Sequence, residues 1–286
     1  MDKHQFSARR RIWGGTMRGL MVLCAAVTCA LAVFLIVYVL VKGVPNLSWQ
    51  LLSTKPSYLD GSIGILPDII TTVCTVLTTL LVVLPLGVCA AVYLTEYAAN
   101  KRVVAVIEYA AETLSGIPSI IYGFFGMVII RPFIAQLTGG LGFGALTAWF
   151  VLAIMIVPTI TTLTIDALNS IPMGIREASY AMGATKWQTI YKVVLPAAKL
   201  GIVDAIVLGM GRAIGETMAV LMVVGNAPVI PDSIASPIST LTSQIALDMS
   251  YSSGLHRSAL FGMGVVLFII SAALVGIVRL ISKKRG

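Results

Sequence analysis

Long apolar runs, separated by short polar stretches, set the pattern of this chain. A bilayer core takes roughly 20 apolar residues per helix. Six runs reach that length, near 20–41, 69–93, 103–130, 145–165, 197–224 and 258–281. They are continuous and do not alternate, which predicts helices and not barrel strands. Pro85 and Gly87 predict a kink in the second run. Ser115-Gly116-Ile117-Pro118-Ser119 interrupts the third. The stretch 170–196 breaks the pattern, because Arg176, Glu177, Lys186, Gln188 and Lys192 make it polar between two apolar segments. The expected fold class is therefore an all-α integral membrane protein, with six transmembrane helices in one domain over 1–286 and a polar loop that must dock in water.

Composition strengthens this picture. The chain is 58% hydrophobic and 11% charged, with a mean hydropathy of +0.96. A soluble domain is about a quarter charged. A formal charge of +8 would suggest nucleic acid in a soluble protein, but here the charges follow topology, and no nucleic-acid partner is expected. Lys3, Arg9, Arg10, Arg11, Arg18, Lys101, Arg102, Arg176, Lys186, Lys192, Lys199, Arg279, Lys283, Lys284 and Arg285 fall on one side of the six runs. Lys42, Lys55, Arg131 and Arg257 fall on the other. By the positive-inside rule both termini are cytoplasmic, in a multi-pass protein of the cell (inner or plasma) membrane in contact with lipid. The first run follows arginines but is too long for a signal peptide and lacks a small-residue cleavage site, so it reads as an uncleaved anchor. Cys24, Cys29, Cys74 and Cys89 lie inside apolar runs at no metal-site spacing, which predicts small core residues.

The polar stretch carries a recognisable spacing. Glu177-Ala178-Ser179 is followed by three residues, Gly183, nine residues and Val193-Val194-Leu195-Pro196. This resembles the motif Glu-Ala-Ala, three residues, Gly, nine residues, Ile-x-Leu-Pro of the permease subunits of ABC importers. Ser179 and Val193 depart from it conservatively. A short amphipathic helix over 175–182, ended by Gly183, and a second helix through Trp187 to Pro196 fit a groove of another protein. The resemblance implies the permease fold with a cytoplasmic coupling helix. It also implies coupling to an ATPase through Glu177, Ala178, Gly183, Leu195 and Pro196.

Two further segments narrow the resemblance. Ser115 to Gly123 and Arg212-Ala213-Ile214-Gly215-Glu216-Thr217-Met218-Ala219-Val220, with Gly225-Asn226 after it, are similar to phosphate-import permeases of the Pst family. The Gly-Glu-Thr-Met string favours the PstC type over the PstA type. The resemblance implies four partners: a second phosphate permease subunit (PstA-like), two ATPase subunits (PstB-like) and an extracytoplasmic phosphate-binding protein (PstS-like). Thr95-Glu96-Tyr97 occurs in both permease types and decides nothing.

Charge within the membrane points to the path. Arg212 and Glu216 are four apart, which on a continuous helix gives them one face. Asp204 lies near that face. Such charges turn to a bundle interior or a wet path. Two readings stay open: a phosphate pathway, in which the Arg212 fork takes oxyanion oxygens and Glu216 balances it when empty, or a structural ion pair. Ser119 and Thr217 are candidate hydroxyl donors on that path. The break at 115–119 either exposes N–H groups to anions or is a packing kink of small residues.

No catalytic residues and no metal ligands are expected: His4 and His256 have no Cys or carboxylate partners at ligand spacing. No Gly-Lys-Ser/Thr phosphate loop is present, so ATP is expected to be used by the partner ATPase and this chain to need no cofactor. The rivals are a permease for molybdate or tungstate and an ion-coupled secondary transporter.

Overall fold

The computed structural model describes residues 3–56 and 64–284, with side chains over 13–56 and 64–283. The charges at Lys3, Arg9, Arg10, Arg11, Lys284 and Arg285 lie outside the described side chains.

Helix α1, Lys3–Gly43, is a single rod of 41 residues. Its apolar stretch touches the rest of the chain only near its last turns. There the Tyr38 ring meets Phe261 edge-on at 5.9 Å, and the Gly43 backbone lies against Phe261 and Val265. A helical turn at Val44–Asn46 leads to α2, Trp49–Ser53, whose start is capped by Ser48 Oγ accepting from the Leu51 N–H. Helix α3, Leu66–Val92, contains Pro85 and runs on through a π-type turn at Tyr93–Tyr97. Then come α4, Lys101–Gly116, and α5, Ser119–Phe125, which continues through a second π-type turn into α6, Arg131–Thr138. Helix α7, Ala145–Asn169, runs back through the centre.

Three short helices follow at the end of the bundle where the termini lie: α8, Met173–Ala181, α9, Lys186–Thr189, and α10, Leu195–Ala197. Helix α11, Lys199–Gly215, returns into the bundle, and the segment Lys186–Ala197 meets it at 68°. Helices α12, Met218–Val223, and α13, Leu241–Asp248, occupy the opposite end. The long helix α14, Gly254–Lys284, closes the bundle. Five stretches have the length and composition to cross a bilayer: Trp13–Asn46, Leu66–Tyr97, Ser119–Thr138, Ala145–Asn169 and Gly254–Lys283. The bent pair Lys186–Ala197 and Lys199–Gly215 makes a sixth when counted as one. Among the described residues, β pairing is limited to one isolated bridge, Gly225 with Ile238.

The core joins α3, α7 and α11 through Val83, Leu152, Met155, Ile156, Ile160 and Met210, all essentially sealed from the outside. Lipid gives helices no hydrophobic reason to associate, so they must gain by close approach. Ile160 of α7 fills the space left by two glycines. A Cβ on Gly87 or Gly209 would come within 2.9 or 2.7 Å of its side chain.

The apolar pattern misplaced two elements. The third run, expected over 103–130 with an interruption at 115–119, does divide there, at Ile117-Pro118, but its membrane-length part differs. Its first half, α4, is amphipathic and buries no residue, and the membrane-length stretch is Ser119–Thr138. Proline cannot continue α4, and its carbonyl starts α5 by accepting from the Ile121 N–H. The fifth run, expected over 197–224, ends its helix at Gly215 and restarts at Met218. The cysteines also differ from expectation: all four lie on outer surfaces and not in the core. An apolar run in a membrane protein has a lipid face as well as a core face, and periodicity did not separate the two.

Candidate functional site

The two helix breaks meet in the middle of the bundle. Helix α5 packs against α12 so closely that a Cβ on Gly123 would reach within 2.9 Å of the Ala219 Cα. On the other side of this contact stand the last residues of α4 and α11. Tyr122 donates its hydroxyl to the Leu114 carbonyl at 2.6 Å, across the break. Breaking a helix leaves carbonyls behind it and N–H groups ahead of it without intrahelical partners. These ends therefore form a polar patch inside the bundle.

Arg212 enters this patch from the last turn of α11. It is partly buried, and Nη1 donates to the Thr159 hydroxyl of α7 at 3.0 Å. Nη2 donates to the Ser115 carbonyl at the end of α4 at 3.3 Å. One guanidinium thus links α4, α7 and α11. Thr159 follows Pro158, which interrupts the α7 ladder.

Arg212 and Glu216 do not pair. The ion pairs among the described residues are Arg176–Glu96 and His256–Asp248. The expected shared face required a helix through both residues, but Glu216 lies beyond Gly215 in extended conformation (φ −70°, ψ 119°). Its carboxylate turns forward, and Oε1 accepts from the Ala219 N–H at 3.0 Å. There it satisfies an orphan donor at the start of α12, where a negative charge is favoured. The Glu216 carbonyl accepts from Thr242 of α13 at 3.1 Å. Arg212 is thereby left with neutral acceptors only.

The remaining candidates divide. Thr217 sits in the second break and donates to the Gly215 carbonyl at 3.2 Å. Ser119 is the first residue of α5, partly buried beside the first break. Asp204 is exposed on α11, two turns before Arg212.

At the end of the bundle that carries the termini, α8 is tied to the end of α3 and of α7 through Arg176. The Gly183 backbone has φ +82°, where glycine carries no steric cost. The Ala184 N–H donates to the Ser179 carbonyl at 3.2 Å and the Gly183 N–H to the Tyr180 carbonyl at 2.9 Å. That is the paired-bond helix stop for which glycine is suited. Thr185 then caps α9 together with Gln188. Arg176 faces inward; Glu177, Ala178 and Gly183 are exposed, and Met173 and Met182 stand out at 65% and 88% exposure. Leu195 packs against the cluster of Ala91, Leu94 and Leu168, while Pro196 is exposed. The motif residues are therefore split between an outer face and an anchor.

That anchor contains residues the sequence pattern did not single out as a pair. Arg176 Nε and Nη2 both donate to Glu96 Oε1, at 3.1 and 3.0 Å. Nη1 and Nη2 also hold the Ile171 and Leu168 carbonyls, at 2.6 and 2.9 Å. The pair ties α8 to the end of α3 and to the orphan carbonyls that end α7. Lys186 stands over the Tyr97 ring at 4.9 Å, and Trp187 stacks on Tyr191. Thr159 and Tyr122 were also missed; their only signals were a hydroxyl after an intrahelical proline and an aromatic after a helix break.

The chain is thus a helical bundle with two broken helices meeting inside it and a short helix-turn-helix at one end. The chain belongs to the family described as "Binding-protein-dependent transport system inner membrane component", which matches residues 83–286. It is 38% identical to the probable ABC transporter permease protein YqgH of Bacillus subtilis, over 100% of this chain and 96% of that protein. It is 37% identical to the phosphate transport system permease protein PstC of Pasteurella multocida, over 90% of each. Among solved structures, a chain of the bacterial alginate ABC transporter superposes with a TM-score of 0.60 at 12% identity. That match covers 91% of this chain and 92% of the other, and it supports the fold alone. The inward-facing MetNI methionine ABC transporter gives 0.54 at 26% identity, over 76% and 93%.

Proposed function

We propose that this chain is a PstC-type permease subunit of an ATP-driven phosphate importer and forms half of the translocation path. The observation that carries the reading is Arg212. It is a partly buried cation at the junction of two helix breaks, held by a hydroxyl and a carbonyl and opposed by no carboxylate. An arginine so placed offers a planar fork to an oxyanion. Neutral acceptors hold it in position without cancelling its charge. Ser119 and Thr217 flank the breaks, and in this reading their hydroxyls supply further bonds. Glu216 serves here to build α12 and not to neutralise the arginine.

In this reading the termini and α8 are cytoplasmic, and two PstB-like ATPase subunits receive the outer face of α8 with Glu177, Ala178 and Gly183. Leu195 and Pro196 connect that face to α11, which carries Arg212. A PstA-like permease completes the pore, and a PstS-like protein delivers phosphate from outside. Hydrolysis of ATP belongs to the ATPase subunits, and this chain needs no cofactor.

The test is uptake of labelled phosphate by the four-component complex in proteoliposomes, with and without ATP. Arg212→Gln should abolish ATP-dependent uptake while the complex still assembles. Uptake at the wild-type rate by that variant would remove Arg212 from the path. Molybdate carried in preference to phosphate by the wild type would reassign the cargo, and ATP-independent uptake by this chain alone would favour a secondary transporter.

A further inference from the structure

An open cavity lies away from the helix breaks, between the end of α1 and the start of α14, with Lys42 and Arg257 both exposed in it. Lys42 and Asn46 face Arg257 and Ser258 across a space of about 590 Å³, with Tyr38 and Phe261 in its wall. Beside it, an open apolar stripe on α1 alone, here called the recess, runs through Cys29, Val33, Phe34 and Val37. The spacing 29, 33, 37, 41 keeps these residues on one helical face. Tyr38 and Val41 line both spaces, so the basic cavity and the apolar recess are continuous.

The charges of the cavity are uncompensated. Neither the Lys42 ammonium nor the Arg257 guanidinium has an ion-pair or hydrogen-bond partner among the described residues. Asp248 does not serve them, because it is held by Gln244 at 2.6 Å and by His256 at 3.1 Å. No carboxylate lines the cavity.

We propose that this is a site for one anionic phospholipid, with its phosphate between Lys42 and Arg257 and one acyl chain along the α1 recess. A guanidinium and an ammonium together suit phosphate oxygens. Two cations with no acid beside them select a net-negative headgroup over a zwitterionic one. Tyr38 has the amphipathic ring that settles at the boundary between headgroup and hydrocarbon. A free phosphate ion would use the polar cavity and leave the apolar recess without a role; a lipid uses both. The site also accounts for α1, which otherwise packs on the chain only around Tyr38 and Gly43.

Native mass spectrometry of the delipidated full chain, titrated with phosphatidylglycerol or phosphatidylcholine of the same acyl chains, tests this. The wild type should retain one phosphatidylglycerol and bind it in preference to phosphatidylcholine. The double variant Lys42→Ala with Arg257→Ala should bind it about 30-fold more weakly, from roughly fivefold per basic residue near an anionic lipid. The exchange Lys42→Arg with Arg257→Lys, which keeps both charges, should bind like the wild type. Equal binding by the double alanine variant, or no preference between the lipids, overturns the proposal. Displacement of the bound lipid by inorganic phosphate would make this a free-anion site. Loss of the lipid when the second permease is added would put a protein helix in the recess. Either result also overturns the proposal.

Discussion

At the residue scale, the two arginines of the centre and the end do opposite work. Arg176 is satisfied from every side: Glu96 takes Nε and Nη2, and two carbonyls of the α7 terminus take the rest. Both side chains of the pair are buried, at 10% and 7% exposure. Removing one member of such a pair leaves an uncompensated charge, at a cost of roughly 3–5 kcal/mol. Glu96→Ala or Arg176→Ala should therefore lower the melting temperature of the detergent-solubilised chain sharply. Replacing both, as Glu96→Gln with Arg176→Met, should recover part of the loss. Single variants that melt like the wild type would show that the pair contributes nothing. Arg212 was legible in the sequence because a charge inside an apolar run has few bland explanations. The Glu96–Arg176 pair was not, because its members are 80 residues apart and only the fold joins them. The role of Glu216 is hidden in the sequence because the fifth apolar run reads as one helix. Gly215 was the available stop signal, and the hydrophobicity on both sides of it concealed the break.

At the element scale, the apolar runs located the helices but not their interruptions. Hydropathy is blind to a break of two or three residues whose neighbours are apolar, such as Gly215-Glu216-Thr217. Proline was the better guide, and the Ser115–Ser119 segment marked a true helix end. The breaks stay together because α5 and α12 touch through Gly123, whose missing side chain lets the Ala219 backbone approach. Backbone cannot yield to a new side chain as a flexible tip does, and forced overpacking costs typically 1–3 kcal/mol. Gly123→Val should part the two helices and cut phosphate uptake severalfold. The readout is initial uptake rate, compared with chain recovered in the complex. Unchanged uptake would mean that the α5–α12 contact does not set the geometry of the path.

At the scale of the whole molecule, the chain presents surfaces that have no use in isolation. Around α8, Met173, Ile175 and the capping residue Met182 are exposed, as is Glu177. Apolar side chains on an amphipathic helix are what a protein groove receives. Met182→Glu should reduce co-purification of the ATPase subunits while leaving the melting temperature of this chain unchanged, because the side chain touches little of its own bundle. Retention of the ATPase at wild-type levels would move the docking face elsewhere. The 68° turn between Lys186–Ala197 and Lys199–Gly215 has a mechanical consequence. In a straight helix, a push delivered at α8 would travel end-on and could only slide α11 along its axis. The elbow makes the segment before it a crank arm, so the same push becomes a swing. The farther end of α11, with Arg212 in its last turn, would then sweep through the widest arc.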